Sequence, residues 1–321
     1  MVLTVFLSTI CQAQIDFKSH HQSSLEAQRA FSKQDYSEAL AYYKTAFEVN
    51  GAIRPIDYLN AALCAAELNN ETACSQYIEA SIQNEKLSEK TILNQSENEL
   101  YKKCAAKTVA SYDIYLEQFY ENLANKAMYF KIEKLLYRDQ FSRKLSDYYL
   151  NLSEEEKEIA FEALLQPPGT IDSLSRAKYK QILFPEVDED LDAYQTKIIQ
   201  FTDSLNVREF MEITEKYGYQ SEGWLLLWHQ RGSYGEDNWV WNYFKPLIDQ
   251  EIKAGNISPA FWAMFEDILA ISKTGQSVYG YHPGKVNSTT VNDKRQEIGL
   301  PKLTEAEINQ RNNNPYGGST F

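Results

Sequence analysis

The 321 residues carry 45 acidic against 32 basic side chains, a net charge of -13 at pH 7, and no basic stripe interleaved with aromatics, which argues against nucleic acid as a partner. Tyrosine is frequent at 22 and glycine sparse at 13, a balance that suits long helices and disfavours a β-sandwich or a glycine-rich nucleotide fold. The length exceeds one ordinary domain, so two or three units are expected.

The chain opens on an apolar run, Val2 to Ile10, followed by Cys11-Gln12-Ala13. A signal peptidase cuts after such a small-x-small ending, so residues 1–13 read as a signal peptide and the protein as exported, periplasmic or extracellular; no Lys or Arg precedes the run, which departs from the usual basic start. The run is too short to span a bilayer, and no other stretch is long and apolar enough to do so. Cys64, Cys74 and Cys104 remain after cleavage, an odd number set in helical patterns. They read as small buried apolar residues rather than as a disulfide framework.

Downstream, residues 34 apart match: Ala27 with Ala61, Ala39 with Ala73, Tyr43 with Tyr77, and Ala46 with Ala80. Asp35-Tyr36-Ser37-Glu38-Ala39-Leu40, Tyr42-Tyr43-Lys44 and Ala46-Phe47 have the makings of a second helix in such a unit, and Pro55 opens the next. Over about residues 22–85 this pattern resembles the tetratricopeptide repeat, in which small residues let antiparallel helices approach and an aromatic fills the gap to the neighbouring repeat. About three repeats are needed before stacked faces bury enough surface. Glu97 to Phe130, with Leu100, Cys104, Val109, Tyr112, Tyr115 and Phe119 on one face, is predicted as a long helix that caps the pair, so the unit runs over 22–130. The resemblance implies a concave surface that takes a protein or peptide partner, lined here by His21, Ser24, Gln28, Phe31, Tyr58 and Ala62. No Lys or Arg pair stands ready to grip a carboxylate, and the alternative is a scaffold.

Residues 131–194 are predicted to be a helical connector. Ser153 and Glu156 have capping-box spacing. Pro167-Pro168-Gly169 must interrupt regular structure and is the predicted hinge. The acidic run Glu186, Asp188, Glu189, Asp190 and Asp192 lacks the glycine and distal glutamate of a calcium loop, which leaves a solvated turn before the next helix.

The C-terminal domain is expected over 195–305. Glu222 to Gln230 is apolar almost all round, so it should be a buried helix whose end carries His229, a side chain that then needs a partner. Ser258-Pro259 offers a helix start, and at 100° per residue Phe261, Phe265, Ile268 and Leu269 share a face while Asp267 lies opposite, toward solvent or a second surface. Thr304 with Glu307 repeats the capping-box spacing, and the polar segment 312–321 is expected to be disordered.

Trp224 through His229, Gly255, Glu266-Asp267, Gly275-Gln276-Ser277-Val278-Tyr279-Gly280, Asp293-Lys294-Arg295 and Ile298-Gly299-Leu300-Pro301 follow in an order that resembles a bacterial domain of unknown function. Members of that family carry a Trp-then-Gln-His segment, an Asp-Arg pair in a helix, a Gln-x-Tyr-Gly-Thr-Gln turn and an Arg-x-x-x-Gly-Leu ending. Here Trp228 stands where Gln is usual, Glu266-Asp267 where Asp-Arg is usual, and Tyr281-His282 where Thr-Gln is usual. The resemblance leaves His229, Asp267, Gln276, Tyr279 and Arg295 as a candidate functional cluster, Asp267 by a slip of one place.

As an enzyme, a hydrolase-like centre or small-ligand site would use His229 as general base, Asp267 or Glu266 to orient it, and Arg295 with Gln276 as donors to a developing anion. No nucleophile motif or phosphate loop accompanies them. A metal held by His229, His282 and an acid lacks the local spacing of zinc motifs, so no metal or cofactor is expected. The alternative is a fixed polar network in which Arg295 pairs with Asp267 or Asp293 and the Tyr279-Gly280 turn locks two helices. The expected architecture is all-α: tetratricopeptide-like hairpins followed by a C-terminal helical domain, an exported interaction or scaffolding protein.

Overall fold

The computed structural model describes residues 16–49, 54–145, 147, 150, 153–165, 171–183 and 189–314. The segment 1–13, the 167–169 triplet, Glu186 and Asp188 lie outside the described residues. The fold is all-α, with sixteen α-helices and two strands of two residues each among the described residues. None of these helices is long and apolar enough to cross a membrane. The chain forms two units that are not consecutive in sequence. The first takes 1–122, 249–261 and 295–301; the second takes 123–248, 262–294 and 302–321. Each unit is thus assembled from three stretches of the chain.

In the first unit, α1 (Phe17–Ser32) pairs with α2 (Tyr36–Glu48), and α3 (Pro55–Glu67) pairs with α4 (Glu71–Glu85). One device makes both hairpin turns. Gln34 (φ 62°) and Asn69 (φ 56°) adopt the left-handed conformation. The next amides, of Asp35 and Asn70, then reach back to the carbonyls of Ala30 and Ala65 at 2.9 and 2.8 Å. Asp35 and Asn70 cap the following helix in turn, their side chains accepting from the amides of Glu38 at 3.1 Å and Ala73 at 3.0 Å.

The spatial repeat between these turns is 35 residues, one more than the sequence match. Ala39, Tyr43 and Ala46 are buried in α2, but Cys74, Ile78 and Ser81 are their buried counterparts in α4. Ala73, Tyr77 and Ala80, matched at 34, are only half-buried, whereas Ala27 and Ala61 lie fully inside. One residue turns a helix by about 100°, which is why the second stripe is displaced.

The predicted capping helix is broken. After a short α5 (Glu89–Leu93) outside that stretch, it divides into α6 (Glu99–Val109) and α7 (Tyr112–Asn122), both packed on α4, and a further helix begins at Lys126. The Ser111 carbonyl accepts from the amides of Ile114 and Tyr115, and Asn125 Oδ1 caps the next helix at Met128, so polar caps end what apolar spacing alone reads as continuous. Cys64, Cys74 and Cys104 are free and buried in this core, and burial pushes the Cys64 thiol up to about 12. Asp57 ties α1 to α3: it accepts from Arg54 at 2.6 and 3.1 Å and from Ser24 Oγ at 3.1 Å.

In the second unit, α8 (Lys126–Arg143) packs along α11 (Glu189–Tyr217), while α9 (Glu154–Leu165) and α10 (Ser173–Leu183) form a hairpin. Glu189, Asp190 and Asp192 occupy the first turn of α11, where negative charge suits the helix N-terminus. Then come α12 (Trp224–Trp228), α13 (Trp239–Ala254, grouped with the first unit from Asp249 on), α14 (Ala263–Thr274), α15 (Val291–Glu297, grouped with the first unit from Arg295 on) and α16 (Glu305–Asn313). Helix α14 starts five residues after the predicted Ser258 N-cap, which instead holds a turn through the Ala260 amide at 3.1 Å. Tyr234, Trp241, Trp262 and Phe265 form an aromatic core with centroids 5.1–6.2 Å apart. Both capping boxes, Ser153 with Glu156 and Thr304 with Glu307, are formed. Asn312 and Asn313, assigned above to the disordered tail, belong to α16, and Asn312 Oδ1 accepts from the Val286 amide at 2.9 Å.

Candidate functional site

His229 finds its partner on α8. The buried face of that helix is Ile132, Leu135, Asp139 and Ser142, so a carboxylate occupies a position of the core stripe. His229, at the C-cap of α12, places Nδ1 2.8 Å from Asp139 Oδ1. Arg143, one turn on from Asp139, reaches Asp203 of α11 at 2.6 Å and Asp139 at 3.3 Å through Nη2, with Nε 3.1 Å from His229 Nδ1. Gln140 Nε2 donates to the other oxygen of Asp139 at 2.8 Å. Burial acts to raise the Asp139 pKa, but the hydrogen bonds from His229 and Arg143 outweigh it and hold the carboxyl below its usual range. For Asp203 burial wins over Arg143, and its pKa is raised.

Nδ1 of His229 faces both Asp139 Oδ1 and the Nε–H of Arg143, so it either donates to the first or accepts from the second. Its other ring nitrogen, Nε2, has no hydrogen-bond partner among the described residues. Arg231 lies over the ring of Trp228, the residue before His229, at 4.6 Å and donates to the Trp228 carbonyl at 3.0 Å. Asp139, Asp203 and His229 offer ligand atoms within 4.8 Å of one another, the composition of a metal site. Arg143 already supplies the positive charge those groups need, so a metal would have to displace its guanidinium.

Asp267 is a separate centre. It is fully buried in α14, and its two oxygens accept from three successive parts of one turn: the amides of Tyr279 at 2.7 Å, Tyr281 at 2.6 Å and His282 at 2.9 Å. Ser277 Oγ accepts from the Gly280 amide at 2.7 Å, and Tyr279 donates its hydroxyl to Glu266 at 2.7 Å. The turn joins β1 (Gln276–Ser277) to β2 (Lys285–Val286), a parallel pair in which Gln276 faces Lys285. Gly280 (φ 59°) sits under Val286, Leu303 and Arg311, where a Cβ would meet Val286 at 3.0 Å. Arg311 is buried in α16, and Asp267 is among the charges that favour its charged form. Three amides occupy most of the acceptor capacity of Asp267, which makes it a staple for the turn rather than the orienter of a base.

Of the five candidate residues, the structure thus joins Asp267 to Tyr279 and gives His229 to Asp139 instead. Gln276 has an exposed side chain. Arg295 belongs to the first unit, where its Nε donates to the Pro301 carbonyl at 2.6 Å, and Gly299 (φ 73°) closes the end of α15 with the Leu300 amide on the Arg295 carbonyl at 2.8 Å. Sequence reasoning missed Asp139, Arg143 and Asp203. The available signal was Asp139 itself, a charge set at the spacing of the Ile132 and Leu135 stripe with Arg143 four residues on.

The surface expected to take a peptide is largely consumed by packing. Ser24, Tyr58 and Ala62 are buried, His21, Gln28 and Phe31 half-buried, and Tyr58 stacks on Phe47 at 4.7 Å. Ser258 Oγ, from the inserted segment 249–261, lies 2.8 Å from His21 Nε2. No family model, curated protein or solved structure matches the chain.

Proposed function

We propose that this is an exported scaffold of tetratricopeptide-like hairpins whose helices carry two later segments of the same chain, 249–261 and 295–301. The observation that carries this reading is the grouping of those segments with residues 1–122, fastened where Ser258 meets His21. A scaffold of this kind presents its partners to surfaces other than the inner face of the hairpins. Hydrogen exchange on the full chain tests it. His21→Ala should speed exchange in 249–261 at least tenfold while leaving α11 unchanged; equal exchange in both proteins would remove the carrier role. Fusing residues 1–13 to a reporter active only after export tests the targeting half of the proposal.

A second reading, a hydrolytic or small-ligand centre, moves from His229 with Asp267 to His229 with Asp139. The unengaged Nε2, on a ring whose Nδ1 meets Asp139 and Arg143, supports it. A ligand-dependent thermal shift abolished by His229→Gln with little change in ligand-free stability is the result it requires.

A further inference from the structure

The outward face of α8 carries a pattern that neither reading uses. Its exposed positions are Lys126, Phe130, Lys131, Lys134, Tyr137 and Phe141, with Ala127, and every charge among them is positive. Residues 126, 130, 134, 137 and 141 follow at steps of three and four, so they form one stripe along about 22 Å of helix. The aromatics are open, Phe130 at 48%, Tyr137 at 65% and Phe141 at 59% exposure. A cationic stripe of this kind is conspicuous on a chain of net charge -13.

The same unit carries its complement. On α9 the exposed residues with described side chains are Glu155, Glu156, Glu158, Ile159, Phe161 and Glu162, and every charge among them is negative. Glu155, Glu158, Ile159 and Glu162 stand at i, i+3, i+4 and i+7, which puts an apolar side chain along the edge of an acidic stripe. Ile159 and Phe161 are 51% and 56% exposed.

We propose that these two faces pair between copies: α8 of one chain lies on α9 of a second, and a two-fold axis repeats the contact with the roles exchanged. Apolar side chains meet aromatics, and lysines meet glutamates. The favoured occupant is a second copy because one molecule supplies both halves of the match, lysines with aromatics on one helix and glutamates with apolar side chains on the other. One helix-on-helix contact falls short of the roughly 1,200 Å² that specific interfaces bury, and the two-fold arrangement uses it twice. At 0.1 M salt the Debye length is about 10 Å, so the net charge of each chain is largely screened while the paired charges act at contact distance. The pairing involves none of the residues of the scaffold reading, so either can fail alone.

Sedimentation velocity on the full chain at 1–100 μM, pH 7.5 and 0.1 M salt is the test. The expected result is a dimer whose dissociation constant rises at least tenfold in the Lys131→Glu/Lys134→Glu variant and in the Glu155→Lys/Glu162→Lys variant. Mixing the two variants should restore a one-to-one dimer, because each then supplies the face that complements the other's reversal, a rescue that general misfolding cannot give; circular dichroism checks that each variant is folded. A monomer at every concentration overturns the proposal, as does a dimer indifferent to both reversals. Monomeric chain that binds phosphatidylserine vesicles through Lys131 and Lys134 would also overturn it and assign the stripe to an anionic lipid surface.

Discussion

Asp267 illustrates how one side chain can organise a stretch of backbone that has no regular hydrogen-bond ladder of its own. Four consecutive residues, 279 to 282, need partners for their amides inside a folded unit, and a carboxylate with two oxygens answers three of them while Ser277 answers the fourth. Replacing it by alanine leaves three donors without partners and removes the negative charge near buried Arg311. At 1–3 kcal/mol for each unsatisfied buried group, discounted because the Tyr281 and His282 amides are only partly buried, Asp267→Ala should cost about 3–5 kcal/mol in urea unfolding, with the fastest new hydrogen exchange in 279–282. A loss below about 1 kcal/mol would show that the turn is held by something else. The family-like motif at this point thus has a structural account that needs no catalysis: the acid, the Tyr-Gly turn and the small residue at 280 are parts of one staple.

At the scale of the element, the hairpin turns decide where the helices lie. Asn69 tolerates the left-handed conformation through its short polar side chain, but Gln34 gains no such relief and is exposed. Gln34→Gly should therefore stabilise the chain by about 0.5–1 kcal/mol, read as a rise of a few degrees in the melting temperature; Asn69→Gly should gain less. Equal gains at both sites would contradict that ranking. The helical class was legible in the sequence because alanines and aromatics recur at helical spacing and Asp35, Ser153 and Thr304 announce helix starts. The one-residue displacement of the second stripe was not, since Ala73, Tyr77 and Ala80 look as packable as their neighbours and only the turn fixes which face points inward. The break at Ser111 was hidden for a similar reason: apolar spacing continues across it, and the cap is a backbone carbonyl. His229 was correctly read as needing a partner. Its partner was invisible because Asp139 lies 90 residues away, on a helix that composition alone assigns to a connector.

For the whole molecule, the first unit is assembled from three separated stretches of the chain, and His21 records that fact. Its ring is enclosed at α1 by residues from two distant segments, Ser258 at 2.8 Å and Arg295 within electrostatic reach. Burial, then the charges of His20 and Arg295, lower its pKa from 6.5 to about 4. An unfolded chain takes up a proton at His21 near pH 6.5, whereas the folded chain refuses it until about pH 4, so the unfolded state binds more protons between those values. This contribution to stability is full above pH 6.5 and is lost as the pH falls through the window, by up to about 3 kcal/mol. Carboxylates add their own acid dependence, so the decisive quantity is a difference. Melting curves of wild type and His21→Gln, taken from pH 7.5 to 4, should converge or cross on the acid side, because glutamine retains polar contact with Ser258 and cannot acquire the charge. In wild type the same acidification should loosen 249–261, seen as faster hydrogen exchange there before any change in α11. Parallel melting curves would mean that His21 is open to solvent, and with it the joining of 249–261 and 295–301 to the first unit would fail.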